Sequence, residues 1–155
     1  MSIAKILRNL ADILDPPPPQ IELVKPRKSV KISGEEIFRI IEKVIPESAH
    51  VYISDNEYWL CSKEDVEAFL AQDETNKLGY VPESFDCDDF SYRLMGQVSS
   101  PGWSQVAIGI VWTDKHALNC FVSDEKKFYL IEPQTDAVQV NLDTWQGSEI
   151  MLVVL

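Results

Sequence analysis

Pro82-Glu83-Ser84-Phe85-Asp86-Cys87-Asp88-Asp89-Phe90-Ser91-Tyr92-Arg93-Leu94 is the stretch on which the reading of this chain turns. A loop broken at Pro82 gives way to a helix at the cysteine. Asp86 suits the N-cap, and Asp88 and Asp89 fall in the first turn, where carboxylates meet the positive end of the helix dipole. Cys87, Phe90, Ser91, Leu94 and Val98 then recur at the i, i+3, i+4, i+7 spacing of a core-facing stripe. Cys87 therefore opens a helix, where unpaired backbone N–H groups favour a thiolate and make the sulfur a candidate nucleophile. The competing reading is packing, since cysteine is among the most buried residue types.

Downstream of Pro101-Gly102 the chain reads as strands: 105–113, 115–123, 127–132, 137–142 and 149–155 follow at hairpin spacing. Upstream, Ser33 with Glu36 forms a capping box before Ile37, Ile40, Ile41 and Val44, and Ser62 caps a helix over 63–71. Short strands are expected at 50–53 and 57–61. Helices first and an antiparallel meander afterwards is the α+β pattern, with one helix packed across a C-terminal antiparallel sheet. An amphipathic helix over residues 1–15 and a proline-rich linker and extended arm over 16–30 precede the body of the domain at 31–155.

Composition narrows the function. Against 14 basic residues stand 25 acidic ones, a net charge of −11, which repels phosphate backbones and anionic membrane surfaces. Neither nucleic acid nor membrane is an expected partner. Three cysteines without framework spacing read as free thiols. Lys5, Arg8 and Asp12 interrupt the apolar runs of the N-terminus, so the expected location is cytoplasmic, or outside after release without a signal peptide.

Only two histidines exist, His50 and His116. His116 opens one strand of a hairpin and Glu132 closes the other. A thiol at a helix start, a base on one strand and a carboxylate on its neighbour is an activated-thiol arrangement. Cys87 would attack, His116 would exchange the proton and Glu132 would orient the imidazole. Gln134 and Asp136 compete with Glu132 for the third role. Direct opposition of His116 and Glu132 demands an odd-length loop centred on Asp124, such as 123–125. Tyr80 and Ser84 are candidates for an oxyanion-side donor, and Trp103 and Trp112 for a substrate cleft.

The motifs 82–90, His116-Ala117-Leu118-Asn119 and Glu132-Pro133-Gln134 together resemble the papain-like cysteine-protease domain at the C-terminus of the fairy-ring mushroom agglutinin family. The resemblance covers about the last half of the chain. It implies a papain-like fold, Cys87 as nucleophile, His116 as base and Glu132 as orienting acid. It also implies calcium dependence and dimerisation through this domain. Nothing in the sequence resembles the sugar-binding β-trefoil of that family, so sugar binding is not carried over.

The leading expectation is a cysteine peptidase with a peptide or protein substrate, forming a homodimer. The alternatives are a peptidoglycan-cleaving amidase or endopeptidase, and a non-catalytic interaction module on the same fold. Asp86, Asp88 and Asp89 crowd the thiol with negative charge. A divalent cation would relieve them, and carboxylate oxygens with the Gln134 amide suit Ca2+ better than zinc.

Overall fold

The computed structural model describes residues 2–5, 7, 24–141 and 148–155. Most of the expected N-terminal helix and proline linker lies outside these residues. The arm that follows is fastened to the domain: Val24 N–H donates to Gln72 Oε1 at 2.7 Å, and the buried Trp103 indole donates to the Val24 carbonyl at 2.6 Å.

Strand β1 (Val30–Ser33) leads into helix α1 (Gly34–Ile41), then β2 (His50–Tyr52) and β3 (Glu57–Leu60). Helix α2 (Lys63–Leu70), a 3-10 turn (Thr75–Lys77) and helix α3 (Cys87–Val98) come next. The remainder is β4 (Ile108–Thr113), β5 (Ala117–Val122), β6 (Phe128–Glu132), β7 (Ala137–Gln139) and β8 (Ile150–Val154). The two expected serine caps form, with Ser33 Oγ accepting Glu36 N–H at 3.2 Å and Ser62 Oγ accepting Asp65 N–H at 3.1 Å. Helix α1 ends at Ile41, short of the Pro46 stop, and leaves Val44 exposed.

β1 and β3 form a small antiparallel sheet, and the other strands form a six-stranded sheet in the order β2-β8-β4-β5-β6-β7. The expected antiparallel sheet is therefore mixed. β8 returns between β2 and β4 and runs parallel to β2, with Val51 opposite Val153. A meander accounts for β4 to β7 alone. The closing strand finds its place by tertiary packing.

Both faces of the large sheet are covered. On one, Ile37 and Ile41 of α1 pack with Val111, Leu118, Cys120, Leu130 and Val153. On the other, Val66, Phe69 and Leu70 of α2 and Leu94 and Val98 of α3 pack with Ile108, Phe121, Tyr129 and Ile131. Every residue of β5 and β6 is consequently buried. A strand covered on both faces loses the polar half of its alternation. That is why these strands read as nearly continuous apolar runs.

Gly109 marks the closest approach in the sheet. A Cβ there would lie 2.0 Å from the Val154 carbonyl oxygen and 2.9 Å from Leu155 Cγ. Gly109→Ala must push β8 from β4, and we expect a loss of about 3 kcal/mol in urea unfolding, at the upper end for overpacking a core. Two of the three thiols are sealed in these cores. Burial, aided by Asp65 and Asp124, pushes the Cys61 thiol up to about 12, and burial drives Cys120 upward as well. Native protein at neutral pH should take up iodoacetamide at Cys87 alone, and at all three cysteines once denatured. Mass spectrometry of the labelled peptides reads this directly.

Candidate functional site

The turn between β4 and β5 sets the position of His116. Thr113 Oγ1 accepts the His116 N–H at 2.8 Å and the Lys115 N–H at 3.1 Å, and donates to the His116 carbonyl at 3.1 Å. Thr113 N–H donates to the same carbonyl at 2.8 Å. One buried hydroxyl thus substitutes for the ladder where the strand begins. The ring is then held from the other side, with His116 Nε2 lying 2.7 Å from Glu132 Oε2. Glu132 is itself buried, and its Oε1 accepts the Gln134 N–H at 3.1 Å.

The hairpin register differs from the expected one in an instructive way. Cys120 faces Leu130 and Val122 faces Phe128, so the connection 123–127 is odd in length but centred on Glu125 rather than Asp124. A shift of one residue would have sent Glu132 to the other face of the sheet. The actual difference moves His116 off direct opposition by two residues and leaves parity intact. The two side chains meet diagonally.

At the other end of the site, a tight turn delivers the chain to α3. Phe85 N–H donates to the Val81 carbonyl at 2.8 Å, with Glu83 in the left-handed region at φ 60°. Asp86 Oδ2 accepts the Glu83 N–H at 3.1 Å, while Asp86 N–H donates to Asp89 Oδ2 at 3.2 Å. Asp89 is thus occupied in capping the helix. Asp86, Cys87 and Asp88 bring one ligand atom each within 4.8 Å of one another. The Asp86 and Asp88 carboxyls act on each other, which lowers the first below the usual carboxylate range and raises the second. Tyr80 is exposed beside them, and its phenol is pushed up by partial desolvation and then by the charges of this cluster.

The remaining candidates fall differently. Trp103 is core rather than cleft: it is 1% exposed and packs against Phe69 at a centroid distance of 4.6 Å with the rings tilted by 47°. Ser84 is exposed in the turn, its N–H donating to the Val81 carbonyl at 3.1 Å. Trp112 is half-buried and lies 6.0 Å from the exposed Tyr92 ring. Gln134, two residues beyond Glu132, is tied to it through its backbone N–H.

Of the expected Cys-His-Glu unit, the structure brings His116 and Glu132 together. Alternation along β6 places Glu132 with Phe128 and Leu130, on the α1 side of the sheet, while α3 packs on the opposite side through Leu94 and Val98. Thr113 and Asn119, which help fix this geometry, did not stand out in the sequence reading, whereas Ser91 was read there only as part of the core-facing stripe. The signal was a polar residue inside an otherwise apolar strand, Asn119 between Leu118 and Cys120.

The chain was compared with known proteins. A family model described as agglutinin C-terminal matches residues 58–138, which is 81 of the 155 residues. No curated protein matches. Among solved structures, one described as a PSL1a-E64 complex is similar with a TM-score of 0.71 at 19% identity, over 83% of this chain and 52% of that one. Polyporus squamosus lectin, bound to the human-type influenza-binding epitope Neu5Aca2-6Galb1-4GlcNAc, is similar with a TM-score of 0.67 at 19% identity, over 83% of this chain and 50% of that one. The chain spans about half the length of each. The fold they share is papain-like α+β, a helical segment packed on a mixed sheet.

These findings correct the expected activity. The matching family is described by an agglutinin and a matching structure by a lectin and its saccharide, where a cysteine peptidase acting on peptide or protein substrates was expected. The peptidase assignment gives way to what the family match supports. By the match over more than half its length, this chain belongs to the agglutinin C-terminal family.

Proposed function

We propose that the chain is a non-catalytic interaction module on a papain-like fold, with its binding site at the start of α3. The observation that carries this reading is the company Cys87 keeps: two carboxylates, Asp86 and Asp88, cluster with the thiol, while the imidazole is engaged by Glu132. The matching family is described as agglutinin C-terminal and a similar structure as a lectin with its saccharide, which supports binding rather than cleavage. The same cluster suits a hard cation. Asp86 and Asp88 would hold Ca2+, which takes six to eight oxygen ligands, and two carboxylates leave positions open for oxygens from a bound partner. Hydroxyl-rich molecules supply such oxygens, and the saccharide on the similar lectin has this chemistry. Cys87, His116 and Glu132 would act as walls of that site.

Two measurements test the proposal. A mixed peptide library incubated with the protein and Ca2+ should remain intact by mass spectrometry. Cleavage by the wild type but not by Cys87→Ala would overturn the reading. Millimolar Ca2+ should raise the melting temperature and EDTA should reverse the gain, with Mg2+ a poor substitute because it demands a tighter octahedral shell. Asp86→Asn combined with Asp88→Asn should lower the number of bound calcium ions by one in calorimetry.

A further inference from the structure

We infer that the groove between the end of α1 and the β6–β7 side of the large sheet binds an anionic amphiphile, a single acyl chain ending in a carboxylate. The groove is separate from the candidate site, since His116, Glu132, Asp86 and Asp88 do not line it. It opens where α1 stops short. Because the helix ends at Ile41, Val44 drops out of the buried stripe, stands 59% exposed and becomes part of the groove wall.

Its floor is apolar. Ile40 and Val44 meet Phe128 of β6 and the exposed Val140 just past β7 around a cavity of about 500 Å3. That volume is in the range of small-molecule sites. Val44, Phe128 and Val140 also line a narrower trough of about 180 Å3, which continues to Pro46, Leu130 and Ile150. With three residues in common, the two spaces form one continuous apolar surface.

Charge decides the occupant. Around the wide end stand Arg39, Lys43, Lys126 and Lys127, against a single acid, Glu36. In a chain with 25 acidic and 14 basic residues this is a local reversal of sign. Lys126 Nζ donates to Glu36 Oε1 at 2.6 Å and ties the β5–β6 turn to α1. Arg39 and Lys127 hold only the exposed partners Glu35 and Glu125, and such weak pairs exchange readily for the acid group of a ligand. The narrow end contributes no lysine or arginine and one acid, Glu149. Cations at one end and apolar residues at the other match a carboxylate head joined to an acyl tail. An acidic peptide helix would need the basic rim to continue along the whole groove, and it stops where the trough begins.

The experiment is calorimetric titration of sodium decanoate, kept below its micelle concentration, into the full chain with EDTA present. EDTA removes the cation on which the proposed function depends, so the two readings fail separately. One decanoate should bind per chain. From octanoate to dodecanoate the affinity should rise about threefold to fourfold per methylene until the trough is filled. Val44→Asp should abolish binding, and Lys43→Glu combined with Lys127→Glu should weaken it at least about tenfold. Both variants should keep the parent melting temperature, because all three side chains are exposed. The inference is overturned by a chain that binds no dodecanoate, by an affinity indifferent to chain length, or by variants that bind as the parent does. Binding to phosphatidylglycerol vesicles alone, read by co-sedimentation, would assign the groove to a lipid surface and overturn it too. So would a dimer that decanoate takes apart in light scattering, which would assign the groove to a second copy of the chain.

Discussion

The Asn119 amide holds the functional half of the molecule together. Its Nδ2 donates to the Ser91 carbonyl of α3 and to the Gly109 carbonyl of β4, each at 3.2 Å. Asn119 and Ser91 are both fully buried. An unpaired amide in this place would cost about 1–3 kcal/mol. One turn earlier on the same helix, Ser91 Oγ donates to the Cys87 carbonyl at 3.0 Å. Sheet, helix and the residue heading the helix are thereby linked in one chain of polar contacts through an apolar core. Gly109 allows it, since its missing side chain is what lets the β8 backbone close on β4.

From that clamp, the two parts of the candidate site acquire different characters. His116 and Glu132 are mostly buried, and the pair is oriented by a threonine hydroxyl on one side and a backbone amide on the other. It is rigid because every polar contact within it has a defined partner. The α3 start is more open, and its Asp86 and Asp88 carboxyls act on each other, the first held below the usual carboxylate range and the second raised above it. A papain-like fold fixes where a helix start meets a sheet, and leaves the chemistry there to the side chains.

Acidity recurs as a design theme. Burial and the nearby Asp73 charge raise the Asp136 carboxyl to about 6, while Asp86 and Asp88 act on each other at a more open helix start. On the outer surface the acidic residues instead find lysines and arginines, as in the Glu35–Arg39 and Glu67–Lys63 pairs one helical turn apart. Such exposed pairs contribute little to stability. The contrast between relieved and unrelieved carboxylates is a better guide to binding sites than the net charge of −11.

Local chemistry settled much of this protein in advance. Ser33 and Ser62 announced their helices because a side-chain oxygen satisfies orphan amides wherever a helix begins. The stripe Phe90, Ser91, Leu94 and Val98 defined the buried face of α3, and the strands from β4 onward lie inside the expected ranges. His116 and Glu132 were paired from strand order and parity alone, and parity survived a shift of register because the side-chain period of a strand is two. What tertiary structure decided lies beyond that range. β8 inserts parallel to β2 because its apolar residues need partners from both halves of the chain, which no local pattern encodes. Trp103 reads as a cleft aromatic in isolation and becomes core once the Val24 carbonyl arrives to take its indole proton. The fate of Cys87 was decided in the same way. A helix start favours a thiolate by a local rule, but whether an imidazole or two carboxylates stand beside the sulfur depends on which side of the sheet each element packs.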